Sequence, residues 1–186
     1  MVEDDRDPAR VHVVVDVAVA QAQQRFGVSS NLIYAVMRRE SAFRVDAVSD
    51  AGAQGLMQLM PATADKISAQ LQSTGEPIDA SEFNSAQYNI QFGAKYLRLL
   101  SDDFAHQGPL ILAAYNAGPA AVSRWLEHGE TLPLDVWIAR IPYAETRRYV
   151  IQVITNWIRY ATLAGAPLPD LQLSIPAGLR AASDSF

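Results

Sequence analysis

Glu40 stands where an acid is out of place. Ile33, Val36 and Met37 precede it by seven, four and three positions. In a helix those positions share its face, so the carboxyl group projects from the side that packs into a core. Arg38 and Arg39 fall on other faces and are poor partners for it. A carboxyl group in apolar surroundings without a cation has its charged form disfavoured, and its pKa is expected to rise. An acid kept protonated near neutral pH can supply the proton that general-acid cleavage of a glycosidic bond requires. The plainer alternative is a glutamate that fringes the core and turns to water.

Three further stretches carry polar groups at spacings that suit a site. Gly52 and Gly55 permit a tight loop that leads through Leu56-Met57-Gln58-Leu59-Met60 to Pro61. Gln58 can present an amide to sugar hydroxyl or acetamido groups, and a methionine offers an adaptable apolar wall. The same stretch could equally be a loop that packs its methionines in the core. Tyr115 and Asn116 end a short apolar run just before Gly118-Pro119. Their hydroxyl and amide can serve a ligand, or they can be a core aromatic and a helix-end residue. Glu145 sits near the start of a long amphipathic run, where a carboxylate also favours the positive end of a helix.

Composition narrows the chemistry. The 186 residues include no cysteine, which excludes disulfides, thiol nucleophiles and zinc-thiolate sites. His12, His106 and His128 lack ligand-like spacing, so no metal site is expected among them. A net charge of -5 argues against a nucleic-acid partner, which usually meets a basic surface. The most apolar early run, Val11 to Ala20, contains Asp16 and is too short to span a bilayer. It also lacks the form of a signal peptide.

The elements that must position these residues read as helical throughout. The pattern predicts helices from about Pro8 to Phe26, ending at Gly27, and from Ser29 or Ser30, as cap, through Met37. Pro61 suits the first turn of a third helix, and STGEPIDASEF (Ser73 to Phe83) reads as a loop. A fourth helix carries Tyr88, Phe92, Tyr96 and Leu99 on one stripe. Pro109 to Ala117 is stopped by Gly118, and Pro119 starts a helix ending near Gly129. TLPLDVWIARIP is an irregular connector with room for a helical turn. The last helix runs from about Ala144 to Ala164, with Val150, Val153, Ile154, Trp157 and Ala161 inward and Gly165 closing it. One all-α domain is expected over residues 1–165, followed by a Pro/Ala/Ser-rich tail over 166–186 on the surface or partly disordered.

The stretches ESAFRVDAVSDAGAQGLMQLMPATA, FGAKYL, AAYNAGPAAVSRWL and IPYAETRRYV, in that order, resemble the soluble lytic transglycosylases. The resemblance covers about residues 26–160. It implies a goose-lysozyme-like helical fold with a catalytic cleft, in which Glu40 is the catalytic acid and base. Ser49, Gln58, Met60, Tyr115, Asn116, Glu145 and Tyr149 then match positions that line the site or touch the substrate. The implied substrate is the peptidoglycan glycan strand, and the implied place is the periplasm or, after secretion, the cell envelope. The long helical superhelix of the family's larger members has no counterpart in this sequence.

The resemblance also implies a mechanism. Most glycosidases use two carboxylates, whereas only Glu40 has a convincing setting here. The implied reaction breaks the N-acetylmuramic acid–N-acetylglucosamine bond without water, metal or cofactor and leaves a 1,6-anhydro end. Two alternatives stand beside it. One is a goose-type muramidase, in which Glu145 or Asp50 would position a water. The other is a non-catalytic glycan-binding module.

Overall fold

In the computed structural model the described residues are 8–73, 85–127 and 131–179. Nearly all of the predicted Ser73 to Phe83 loop, the end near Gly129 and residues 180–186 lie outside them. Among the described residues there are eight helices: α1 (Pro8–Phe26), α2 (Ser30–Glu40), α3 (Pro61–Ser73), α4 (Ala86–Asp103), α5 (Gly108–Ala117), α6 (Pro119–Leu126), α7 (Leu134–Arg140) and α8 (Ala144–Leu163). Two short strands, β1 (Leu132–Pro133) and β2 (Ser174–Ile175), complete them. The class is all-α, as expected. The chain divides into two compact units, Met1–Lys95 and Tyr96–Phe186, with the boundary inside α4.

In the first unit α1 buries Val15, Ala18, Val19, Ala22 and Phe26, a helical stripe, and leaves Val13, Val14 and Val17 exposed. Gly27 takes φ 68° and its N–H donates to Gln23 O at 2.9 Å, so the helix stops where glycine permits the turn. The start of α2 differs from expectation. Ser29 holds the N-cap position but makes no side-chain cap bond. Gln23 of α1 accepts the Ser30 N–H through Oε1 at 2.7 Å instead. A side chain from the preceding helix thus satisfies an orphan donor that a local cap would ordinarily take.

Phe92 and Tyr96 of the predicted α4 stripe are buried, and Tyr88 and Leu99 are half-buried. Asn89 to Ala94 are nevertheless all buried in succession, so this stretch is enclosed on every side. The polar members are matched to this: Gln91 Nε2 donates to Ala18 O at 3.3 Å, and Asn89 secures a loop described below. Each fully buried aliphatic side chain stabilises by about 1.5–3 kcal/mol, and Ile33, Val36, Met37, Leu56, Ile67 and Ile90 all have no exposed surface.

In the second unit α5 is the enclosed element. Gly108 to Ala114 are buried without interruption, and α6 and α8 pack against it. Gly118, at φ 86°, ends it and lets Pro119 begin α6. On α8, Val150, Val153 and Ala161 are buried while Ile154 and Trp157 are half-buried. Its end is a Schellman motif: Gly165 N–H donates to Thr162 O and Ala166 N–H to Ala161 O.

The connector after α6 and the segment after α8 hold more order than their composition signals. Leu132 pairs with Ile175 and Pro133 with Ser174 in an antiparallel bridge, and Leu134 N–H donates to Leu173 O at 2.9 Å. Ile175 is 1% exposed. The segment expected to lie on the surface therefore anchors one apolar side chain in the unit. Gln107 Nε2 also donates to Gln172 Oε1.

Candidate active site

Glu40 is the last residue of α2 and is half-buried. The residues that share its face, Ile33, Val36 and Met37, have no exposed surface. The carboxyl group therefore stands at the edge of the first unit's core, where a buried stripe meets solvent. Arg38 is exposed and Arg39 half-buried.

The chain leaves Glu40 through an unusual turn. Ala42 and Phe43 take φ 51° and 65°, and Arg44 N–H donates to Ser41 O at 3.1 Å. Two left-handed residues inside an i to i+3 bond are the marks of a type I′ turn, which ordinarily asks for glycine or asparagine. The left-handed conformation costs a non-glycine residue roughly 1–2 kcal/mol. Ser41 holds the turn in place. Its side chain is buried, and its hydroxyl lies within donating distance of Leu56 O (2.8 Å) and Met37 O (3.2 Å). Arg44 Nε adds a second donor to Ser41 O at 3.3 Å.

Leu56 belongs to the loop that carries three more expected site residues. Gln54 and Leu59 exchange N–H···O bonds of 2.9 and 3.0 Å, and Gly55 N–H donates to Ala47 O at 2.8 Å. Ser49 accepts from Ala53 N–H through Oγ at 3.0 Å and donates its own N–H to Ala53 O at 2.9 Å. Asn89 of α4 plugs the loop from below. Its Oδ1 accepts Met57 N–H at 2.8 Å and its Nδ2 donates to Gln54 O at 3.0 Å, with the side chain fully buried. A Cβ on Gly55 would lie 2.5 Å from Asn89 Nδ2, so glycine is required there twice, for φ 77° and for space.

Within this loop Gln58 and the two methionines take separate roles. Gln58 Nε2 donates to Ala47 O (3.0 Å) and Gly55 O (2.9 Å), so its amide nitrogen braces the loop. Met57 is fully buried against Gly93 of α4, where any Cβ would lie 2.3 Å from its sulfur. Met60 is 43% exposed. Of the two methionines that the sequence leaves undistinguished, one is core and one offers an apolar surface.

The remaining expected residues lie in the second unit. Tyr115 and Asn116 end α5 and are half-buried. Asn116 Oδ1 accepts from the Thr146 hydroxyl at 2.7 Å, which ties the end of α5 to the start of α8. Tyr115 packs on Tyr96, with ring centroids 5.2 Å apart and planes inclined by 42°. Burial pushes the Tyr96 hydroxyl up to about 12, with the Asp103 carboxylate adding to it. Glu145, in the first turn of α8, is exposed. Tyr149, on α8, is the most enclosed of the expected residues. It has no exposed surface and serves as a core residue of this unit.

Sequence reasoning missed Ser41, Asn89, Thr146 and Arg147. Arg147 Nη1 donates to Ile141 O at 2.8 Å and fixes the chain entering α8. Ser41, Thr146 and Arg147 adjoin expected site residues, so position was a usable signal. Asn89 is 32 residues from the amide it satisfies, and no local pattern marks it. Among the described residues no group of three His, Asp or Glu is placed to hold a metal ion. No helix among them is long and apolar enough to cross a membrane.

Residues 18–138 match the profile of the family described as Transglycosylase SLT domain. Over 139 residues the chain is 33% identical to the soluble lytic murein transglycosylase of Salmonella typhimurium, covering 74% of this chain and 21% of that protein. Over 164 residues it is 34% identical to membrane-bound lytic murein transglycosylase C of Edwardsiella ictaluri, covering 77% of this chain and 45% of that protein. It also resembles the solved lytic transglycosylase Slt of Pseudomonas aeruginosa, an inactive glutamate-to-glutamine mutant. The TM-score is 0.79 at 34% identity, covering 90% of this chain and 27% of that one. The chain thus spans between about a fifth and a half of the length of these relatives. With a profile matched over most of its length, the chain belongs to the transglycosylase SLT domain family.

Proposed function

We propose that this chain is a peptidoglycan lytic transglycosylase that cleaves the β-1,4 bond between N-acetylmuramic acid and N-acetylglucosamine. The observation that carries the reading is Glu40, a half-buried acid at the edge of a buried stripe, succeeded by a strained, fully braced turn. The names of the relatives, and the inactive glutamate-to-glutamine mutant among them, support it.

Glu40 first gives its proton to the glycosidic oxygen as the bond to the muramoyl anomeric carbon breaks. The substrate's own 2-acetamido group stabilises that carbon. Glu40, now a carboxylate, takes the proton from the muramoyl C6 hydroxyl, whose oxygen closes the 1,6-anhydro ring. The acid is regenerated and no water enters the balance. Met60 supplies an apolar wall, and Ser49, Tyr115, Asn116 and Glu145 are assigned to substrate contact. Gln58 acts chiefly through the loop it braces, and Tyr149 through its buried place on α8. On this reading the chain acts in the periplasm or, after secretion, at the cell envelope.

Mass spectrometry of products from purified peptidoglycan tests the proposal. Anhydro-muropeptides are expected, and reducing muropeptides would establish a hydrolase instead. Glu40→Gln keeps the shape but removes the proton, so turnover should vanish while the fold survives.

A further inference from the structure

Of the described aromatic residues, only Tyr143 is exposed, at 51%; every other ring is buried or half-buried. Its place is nevertheless firmly set. Ile141, two residues earlier, is buried, and its carbonyl accepts from Arg147 Nη1 at 2.8 Å. The Tyr143 carbonyl accepts Arg147 N–H at 2.9 Å. Trp125 of α6 meets the ring edge-on, with centroids 5.2 Å apart and planes at 85°. A backbone anchor and an indole thus hold a ring that still turns half its surface to water.

Leaving apolar area in water forgoes about 25 cal/mol per Å², so the second unit gains little burial from this ring. A fixed aromatic is a good recognition surface, because little side-chain freedom is lost when a ligand arrives. The negative face of the ring suits the axial C–H groups of a pyranose. Tyr143 also sits two residues before Glu145 and three before Thr146, whose hydroxyl holds Asn116. The ring is therefore close in the chain to residues assigned to the glycan. Arg124 and Arg140, both exposed, flank the pair in sequence and suit a strand that carries carboxylates.

We propose that Tyr143, steadied by Trp125, is a stacking subsite for a pyranose of the glycan strand. This rests on reading the chain as a peptidoglycan enzyme. The test uses the full chain with Glu40→Gln, so that binding is measured without turnover, and titrates uncrosslinked glycan tetrasaccharide and octasaccharide by calorimetry. Adding Tyr143→Ala should weaken octasaccharide binding by about five- to tenfold, at most ~1.4 kcal/mol. Tyr143→Phe should restore octasaccharide binding, and melting temperatures should match throughout. Equal octasaccharide affinity with and without Tyr143→Ala would overturn the subsite. Should the Glu40→Gln chain bind neither oligomer, the proposed function itself fails.

Discussion

The loop beside Glu40 and the junction of α5 with α8 carry the expected site residues by opposite means. The loop has almost no regular structure and is held by hydrogen bonds to Ser41, Gln58 and Asn89. The junction is two helices in close packing, with a side-chain bond from Thr146 to Asn116 across it. Hydrogen-bonded loops fail when a buried partner is lost, because the groups left behind have no water to turn to. Packed helices lose one bond and keep their area. The first region should thus be brittle and the second tolerant.

Asn89→Ala gives the largest effect that this contrast predicts. It strands Met57 N–H, at about 1–3 kcal/mol, and removes one of the two bonds to Gln54 O, at about 1 kcal/mol, so urea denaturation should show a loss of roughly 2–4 kcal/mol. A loss under about 1 kcal/mol would mean that the loop rests on something else.

Alkaline titration comes next. The raised Tyr96 pKa means that the folded unit favours the neutral phenol. Its stabilising contribution is complete below the unfolded value near 10 and is lost as pH climbs to about 12. The decline over that window should total about 2–3 kcal/mol, and Tyr96→Phe should remove that part of the slope. An unchanged slope in the variant would place the alkaline sensitivity elsewhere.

Thr146→Val keeps the shape and deletes the bond to Asn116, so about 1 kcal/mol should be lost. A cost equal to that of Asn89→Ala would erase the distinction between the two regions. Glu145→Gln is the smallest in stability, about 0.3 kcal/mol for an exposed helix-start carboxylate. If Glu145 touches the glycan, activity should nonetheless fall in fully folded protein, still with anhydro products. Full activity in that variant would confine Glu145 to its helix.

The same contrast explains what could be read from the residues alone. Gly27, Pro61, Gly118 and Gly165 mark helix ends because each acts through its own backbone, and all four stand at ends as expected. The α8 stripe was legible because 3.6-residue periodicity is local. Gln23 capping α2, Asn89 plugging the loop and Leu132 pairing with Ile175 depend on partners distant in sequence, and composition carries no trace of them. Met57 and Met60 look alike in the chain and differ only in what stands beside them, Gly93 in one case and solvent in the other. The left-handed turn at Ala42 and Phe43 was invisible for a different reason: neither residue type favours it.

That turn carries a cost with a direction. Glycine at Ala42 or Phe43 would relieve the left-handed strain and, by the same stroke, loosen the end of the helix that presents Glu40. The protein keeps the stiffer and less comfortable residues. Selection for thermal robustness and selection for turnover would therefore pull these two positions in opposite directions, and a variant library sorted on each separately should return different residues there.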